Sequence, residues 1–386
     1  MPAATCISSD GLPKAAEMPL VVAGRCGFLD TLRGIFLMLM AINHVPSVLW
    51  PLTQQPLGFA TAAEGFVFMA GLVVGKTYTG RREKLGDQAC KQLLFRRAGV
   101  VYCAHLACVL GVVGWMWLYA WMSGTGEPPV GSPWEYFFTP WQSWGATLVM
   151  IHQPGLLDVL PMYCGFLVLT PYALRAFESS GKRRVLILSV LGWAITNLVD
   201  KPGPIIFGAI NTGAFNFGAW QLLYMSGLAA GHVWAKNPAG IWLPPYRYLI
   251  GMVVLLGVLA SLSHGWLDSG LTKETLFTWS NKNNVAPLRV LNVAVIACLL
   301  AVWFRHHRLR HQDFRIRAFE VLGKHSLLVF SVHSVFAIVV LGLPSWFEWT
   351  SMGPWLAPLI MICVLYMAAA LGEIRLHLVK SWKAGA

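Results

Sequence analysis

The chain has 386 residues, of which 56% are hydrophobic and only 12% are charged, whereas a typical soluble domain is about 25% charged. This composition excludes a disordered chain, a secreted disulfide scaffold and an ordinary soluble enzyme. The net charge of +12 would suggest a nucleic-acid partner in a soluble protein. Here the cations gather in short loops between apolar blocks, which is typical of a helical membrane protein and indicates the lipid bilayer, not nucleic acid, as the partner.

Ten apolar blocks have the length of about 20 residues that a helix needs to cross the hydrocarbon core. We therefore predict an all-α polytopic membrane protein with about ten transmembrane helices, at 28–49, 61–79, 98–122, 157–174, 185–199, 217–234, 248–263, 286–304, 325–343 and 354–372. Of the 29 Lys and Arg residues, 24 fall in the terminal tails and in alternate loops. By the positive-inside rule, both termini are cytoplasmic. The predicted organisation is a cytoplasmic tail over 1–24, one transmembrane domain over 25–373 and a cytoplasmic tail over 374–386.

The first span carries polar side chains at membrane depth, where they are costly and need a reason. Arg33 and His44 are 11 residues apart, which puts them on one helix face about 16 Å apart along the axis. Asp30 lies one turn before Arg33 and can pair with it. That pairing alone would make Arg33 an interfacial anchor, whereas a histidine as deep as His44 favours a proton-handling role near neutral pH.

The second span carries Glu64 and the motif Gly71-x-x-x-Gly75 on one face. Such small-residue motifs let a second helix approach closely. Since the first span runs outward and the second runs back, Glu64 and His44 are expected at a similar height. A carboxylate beside an imidazole fixes its tautomer and stabilises the imidazolium. We therefore predict that Glu64 pairs with His44.

Later spans and loops add further polar and aromatic side chains. Asp158 and Tyr163 open the fourth span, and His333 lies inside the ninth. On the outer side, the residues expected to meet a ligand are Trp141, Asn216, Trp220 and Gln221. Tryptophan near a membrane is usually an interfacial anchor, and a platform for stacking sugar rings is the sharper alternative. Packing explains each residue singly, but together with His44 and Glu64 they indicate a polar cavity open to the outer face.

The remaining residues limit the possible chemistry. The sequence has no GxSxG elbow, no HExxH or similar metal-ligand spacing, no P-loop and no GxGxxG motif, so we predict no metal site. A buried histidine with a carboxylate suits general-base activation of an alcohol. Cytoplasmic cations suit an anionic donor, such as the phosphates of coenzyme A. The rival interpretation is a proton-coupled transporter or exporter of a saccharide or small anion, although the sequence shows no repeat halves.

Several segments of the chain resemble a known family. Arg33 and His44, within LDTLRG…NH, have the R-x10-H spacing that resembles the motif of the acyltransferase-3 superfamily of membrane acyltransferases. The segments AEGFVFMAGLVVGK, LDVLPMY, FNFGAWQLLYMSGLAAG, PLR and LGKHSLLVF, within residues 24–372, resemble the OpgC family, named for the succinyltransferase of osmoregulated periplasmic glucans. The resemblance implies a multi-pass protein of the bacterial inner membrane that moves an acyl group, with succinyl expected, from cytoplasmic acyl-CoA to a periplasmic glucan.

The resemblance also assigns roles to residues. It implies that His44 is the catalytic histidine, that Arg33 is the arginine of the motif, and that Glu64 and Asp158 are family carboxylates. We expect His44 to take the proton of a sugar hydroxyl that attacks the acyl-CoA thioester, with Glu64 steadying the imidazolium and Asp30, Tyr163 and His333 in support. The residues expected near the coenzyme A moiety are Arg81, Arg82, Arg96, Arg97, Lys324, His325 and Ser326. The residues expected near the acceptor are Trp141, Asn216, Trp220 and Gln221.

Overall fold

The structure is a computed structural model that describes residues 26–129, 131–199, 206–207, 210–211, 213–237, 245–268, 270, 272–309, 315–343 and 352–384. The described part of the chain is helical except for its connecting segments and one short strand pair, which confirms the predicted all-α class. In that pair, β1 (Ile206–Phe207) runs antiparallel to β2 (Ile210–Asn211), with Phe207 opposite Ile210. The predicted tail over 1–24 lies outside the described residues.

Nine long helices make up most of the part of the chain that the structure describes. They are α1 (Gly27–Asn43), α3 (Ala62–Ser123), α6 (Val159–Ala176), α7 (Lys182–Leu198), α8 (Phe217–Lys236), α9 (Leu249–Ser263), α11 (Pro287–Leu309), α13 (Ser326–Leu341) and α14 (Gly353–Ala384). The shorter helices are α2 (Trp50–Thr53), α4 (Glu135–Phe138), α5 (Pro140–Leu148), α10 (Lys273–Trp279) and α12 (Arg317–Lys324). A π-helical turn at Phe177–Gly181 joins α6 to α7, and a 3-10 turn at Tyr246–Tyr248 precedes α9.

Each of the ten predicted spans falls on a helix, with the second and third spans sharing α3. Among the described residues, four helical segments are long and apolar enough to cross a membrane, namely α3, the joined α6 and α7, α11 and α14. A fifth is possible if α12 and α13, which meet at an angle of 87°, count as one broken span. The apolar helices indicate a membrane protein, while the full ten-span topology and the cytoplasmic placement of both termini stay predictions.

The connection between the second and third predicted spans is helical, although the sequence suggests a loop over 80–97. Helix α3 has 62 residues, a length of about 90 Å at 1.5 Å per residue, which is far more than one crossing of the bilayer needs. At Gly86 the backbone leaves the helical region, with φ of 81°, a conformation that glycine adopts without steric cost. Gly86 therefore divides α3 into two helical segments, without a long loop, and these segments coincide with the second and third predicted spans.

Helices α3 and α8 pack closely through two opposed glycine pairs. A Cβ atom added to Gly71 or Gly75 would overlap backbone carbonyl oxygens of α8, and one added to Gly227 or Gly231 would overlap those of α3. Removing the side chains on both helices lets their backbones touch, as small-xxx-small motifs do in membranes. The predicted packing role of Gly71-x-x-x-Gly75 is confirmed, and α8 is the helix that it contacts.

A second close approach joins α1 to α12. A Cβ atom on Gly34 would overlap the carbonyl oxygen of Phe319, and one on Gly323 would overlap that of Asp30. Just beyond Gly323 the chain bends by 87° into α13, which then lies beside α1. The side-chain contacts Arg33–Ser326 and His44–His333 join these two helices. Because residue numbers increase along both helices from one contact to the next, α1 and α13 are parallel.

Candidate functional site

Two histidines meet where α1 ends. Helix α1 ends at Asn43, followed by His44, and Pro46 then removes a backbone donor that a longer helix would need. The Nδ1 atom of His44 lies 3.2 Å from Nε2 of His333, and the two rings are nearly parallel, with centroids 5.4 Å apart. His333 is fully buried in α13, whereas His44 is partly exposed. One imidazole is therefore held inside the protein while its partner stays accessible.

This contact orients the His44 ring. A hydrogen bond between two imidazole nitrogens needs one N–H and one lone pair, so it ties the tautomer of one ring to that of the other. In the tautomer in which Nδ1 of His44 donates its N–H to Nε2 of His333, Nε2 of His44 keeps its lone pair and can accept a proton from a ligand. Phe330 packs edge-on against the His333 ring, with centroids 5.0 Å apart, and fixes it from another side.

The predicted pairing of Glu64 with His44 is wrong. Oε1 of Glu64 accepts a hydrogen bond of 2.6 Å from Nη1 of Arg289 in α11. Oε2 accepts the backbone N–H of Thr61 at 2.9 Å, and also the Thr61 hydroxyl, in a capping box at the start of α3. The physical reason is that this capping geometry turns the carboxylate back toward the first residues of α3, where Arg289 neutralises it. Any effect of Glu64 on His44 is then indirect.

Arg33 and the residues around it form a network of polar contacts. Nη1 of Arg33 lies 3.3 Å from Oδ1 of Asp30, which confirms the predicted pairing. Arg33 also donates to the hydroxyl of Ser326, the first residue of α13. Two residues before Ser326, Lys324 at the end of α12 forms an ion pair with Glu373 of α14. These contacts connect α1 to α13, and α12 to α14, at a level separate from His44.

Nε2 of His325 lies 3.0 Å from the same carboxylate of Glu373. Lys324 and His325, which were predicted to hold the coenzyme A moiety, thus already share one carboxylate partner. Phosphates would have to compete with Glu373 for these two cations.

Charges also surround the Gly86 break. Arg82 forms an ion pair with Asp87 and another, at 2.9 Å, with Glu178 of the turn between α6 and α7. Lys236, at the end of α8, lies 2.9 Å from Glu178. The hydrogen bond from Arg82 holds the pKa of the Asp87 carboxyl below its usual value, and the hydrogen bond from Lys236 does the same for the pKa of Glu178. The predicted phosphate ligand Arg82 therefore links α3 to the turn after α6, and Lys236 of α8 shares the same Glu178.

The other predicted phosphate ligands on α3 are Arg81, Arg96 and Arg97. The guanidinium of Arg81 lies 5.1 Å from the centroid of the Tyr78 ring, as a cation–π contact. Arg96 is exposed and Arg97 is partly exposed. All three arginines therefore reach the surface of the protein at least in part.

The residues predicted on the acceptor side separate into two groups. Trp220 is fully buried and donates from Nε1 to the Asn283 carbonyl at 3.1 Å. Gln221 donates from Nε2 to the carbonyl of Ser189 at 2.7 Å. Trp141 is 90% exposed. Trp220 and Gln221 thus belong to helix packing, because their polar atoms are already used between helices, whereas Trp141 lies on the surface.

Asp158, Tyr163 and Asn216 lie where α6 and α8 begin. Asp158 is buried, and its Oδ2 accepts the backbone N–H of Ala214 at 3.0 Å. Asn216 is the N-cap of α8, since its side chain accepts the Gly218 N–H at 3.0 Å. Tyr163 of α6 is partly exposed, and its ring packs edge-on near that of Tyr224 in α8. This end of the bundle gathers polar groups where α6 and α8 begin, and the polar cavity open to the outer face stays a prediction.

Two functional candidates were missed from the sequence, and both lie between α10 and the first turns of α11. Arg289 neutralises Glu64. The Lys282 ammonium interacts electrostatically with both His44 and Asp158. Their signals were the PLR segment and the polar run NKNN at 281–284, where a cation next to an apolar helix is unusual.

Comparison with known protein families identifies the family of this chain. A family model described as OpgC protein matches residues 25–376, which is nearly the whole chain. No curated protein and no solved structure matches the chain. The matched range contains the His44–His333 pair, the Arg33 network and the Glu64–Arg289 pair, so it covers the entire site. The chain belongs to the OpgC family.

Proposed function

We propose that the protein is a membrane O-acyltransferase of the bacterial inner membrane. It moves an acyl group, succinyl in our proposal, from cytoplasmic acyl-CoA to a hydroxyl of a periplasmic glucan. Membership of the OpgC family supports the transfer to a glucan. The observation that carries the chemistry is the His44–His333 pair, in which a partly exposed imidazole is held by a fully buried one.

In this proposal His44 is the general base. Nε2 of His44 accepts the proton of the sugar hydroxyl as that oxygen forms a bond to the acyl carbon and the carbon–sulfur bond breaks. The imidazolium then returns the proton to the departing thiolate. His333 is a positioning residue, because it holds Nδ1 of His44 and leaves Nε2 directed at the substrate. Acyl-CoA supplies the activated acyl group as a thioester.

Cations on α1 and α3 suit an anionic acyl-CoA donor. Arg33 lies on the His44 face of α1, about 16 Å from it along the axis, and its contacts with Asp30 and Ser326 hold it in place. We place the coenzyme A phosphates near Arg81, Arg96 and Arg97, which are exposed or partly exposed on α3. The acyl-CoA would then extend along the Arg33 side of α1 toward His44.

Mass spectrometry of periplasmic glucans tests the proposal. We compare cells that produce the wild-type chain with cells that produce His44→Ala or His264→Ala. A histidine base typically contributes about 10²–10⁴-fold in rate, so His44→Ala should leave glucans without the added acyl mass. His264 is exposed after α9, and its replacement should change nothing. Normal acylation by His44→Ala, in cells with normal amounts of the protein in the membrane, would refute the proposal.

Acyl-CoA binding separates this function from transport. A carrier for a saccharide or small anion would use the buried histidines as a proton relay and would not need acyl-CoA. We expect the purified protein in lipid nanodiscs to bind acyl-CoA, and replacement of both Arg96 and Arg97 by Gln to weaken that binding. Proton-coupled glucan movement without acyl-CoA binding would favour the carrier.

A further inference from the structure

The loop between α10 and α11 is held rigidly by the helices around it. Trp193 of α7 donates from Nε1 to the Val285 carbonyl at 2.9 Å, and Trp220 of α8 donates to the Asn283 carbonyl at 3.1 Å. Val285 has a positive φ of 44°, a strained conformation for a β-branched residue that the surrounding contacts must maintain. Lys282 is therefore carried on a fixed segment, not on a freely moving one.

The Lys282 ammonium faces the polar end of the site. Its Nζ lies 5.5 Å from the centroid of the Phe215 ring. Ala214, the neighbour of Phe215, donates its N–H to Asp158 at 3.0 Å, so the lysine and this buried carboxylate belong to one cluster. The ammonium also interacts electrostatically with His44. Among the described carboxylates, none lies within ion-pair distance of Lys282.

The other cation of this region is already neutralised. Arg289 is buried and paired with Glu64 at 2.6 Å, and it also donates to the Ser280 carbonyl at 2.5 Å. Lys282 is partly exposed and so remains available to an anionic ligand beside His44. Asp158 shares the cluster with the lysine but is bonded to Ala214.

The chemistry of the reaction indicates which anion this is. In a succinyl group, two methylene groups separate the reacting carbonyl from a free carboxylate. If the carbonyl is next to His44, the carboxylate lies farther from His44 and requires a cation there. Lys282 is such a cation, because it interacts electrostatically with His44 and forms no hydrogen bond to it. A carboxylate placed in a partly desolvated site needs such a cation, because an unpaired buried charge is costly.

We propose that Lys282 binds the free carboxylate of the acyl group and so selects a dicarboxylic acyl donor over an uncharged one of the same length. This inference rests on the proposed function. Lys282 would be a specificity-determining residue at the side of the site that receives the glucan, opposite the arginines proposed for the coenzyme A phosphates.

The test compares succinyl-CoA with butyryl-CoA, which has the same chain length and no carboxylate. The full chain in lipid nanodiscs receives either thioester together with the periplasmic glucan, and acylated glucan is measured. The wild type should prefer succinyl-CoA. Because a hydrogen-bonded ion pair is lost, Lys282→Met should reduce that preference by about tenfold to a hundredfold, whereas Lys282→Arg should keep most of it. The equilibrium affinities for the two thioesters without acceptor should change in the same direction.

Lys273→Met is the matched control, since Lys273 is an exposed lysine of the neighbouring helix α10. Its preference should equal that of the wild type. An unchanged preference in Lys282→Met overturns the inference, as do a wild type that uses both thioesters equally and a control that loses its preference to the same extent. A wild type that transfers neither acyl group refutes the proposed function itself. Transfer that depends on His44 but not on Lys282 overturns only the inference.

Discussion

Substitutions in the Glu64–Arg289 pair test whether Glu64 acts in catalysis or stabilises the fold. Their side chains are 0% and 6% exposed and their charged atoms are 2.6 Å apart. Removing one partner of such a pair leaves the other charge buried and costs about 3–5 kcal/mol. Glu64→Gln keeps an oxygen that can still accept the Thr61 N–H, so we expect Arg289→Met to be the more destabilising variant.

The measurement is the free energy of unfolding in mixed micelles of detergent and SDS. The double variant with both substitutions should be more stable than the sum of the two single losses predicts, by about 0.5–3 kcal/mol, because it removes both charges. Glu178→Gln is the control. Because Glu178 also pairs with Arg82, a second control is Glu83→Gln, whose pair with Lys236 is 52% and 41% exposed. Such exposed pairs contribute at most about 1 kcal/mol.

Acyl transfer distinguishes the two roles of Glu64. If it stabilises the fold, the activity of Glu64→Gln should fall only in proportion to the loss of folded protein. A Glu64→Gln variant that is as stable as the wild type, yet as inactive as His44→Ala, would refute the structural role. It would restore the direct action on His44 that the sequence suggests.

Three other substitutions or conditions test separate parts of the structure. Gly71→Val should destabilise the α3–α8 contact by about 1–3 kcal/mol through overpacking. Gly80→Val is the control and should not destabilise the protein in this way, because a Cβ atom there meets nothing within 4 Å. Unfolding in SDS measures both variants. His333→Phe should lower kcat about 100-fold through misplacement of the base, with little change in KM, and His333→Gln, which can still hydrogen bond, should lose less. The pKa of Asp87 lies below its usual value, so the stabilisation by its pair with Arg82 is complete above the unfolded-state value of about 3.9 and is lost as the pH falls through the lower folded-state value. Amide exchange next to the Gly86 break should therefore accelerate, relative to the rest of α3, at such acidic pH.

Local features of the sequence were sufficient for much of the fold. The ten apolar blocks coincide with helices because length and hydropathy are properties of each segment alone. The Asp30–Arg33 pair follows from helical spacing within one element. The glycine face of α3 was predictable for the same reason, although its partner α8 was not, since a small-residue face specifies only that some backbone approaches.

The partners within the site could not be predicted from spacing. Glu64 and Arg289 are 225 positions apart, and an argument from equal height on consecutive helices ignores how each helix is rotated. One signal was available, because Thr61-Ala62-Ala63-Glu64 has the T-x-x-E pattern of a capping box, which turns the carboxylate toward its own helix start. His333 was predicted as a buried polar residue, but its contact with His44 depends on the order of the helices in space.

The two contacts between α1 and α13 show why the site depends on a bend far from the histidines. Arg33 meets Ser326 at one level and His44 meets His333 at the other, so a slide of α13 along α1 would break both contacts together. The position of α13 is set by its junction with α12, where the chain turns by 87°. Gly323, next to that junction, has no side chain, and α12 can therefore lie directly against α1. The orientation of the His44 imidazole thus depends on a glycine contact at the opposite end of the same helix pair.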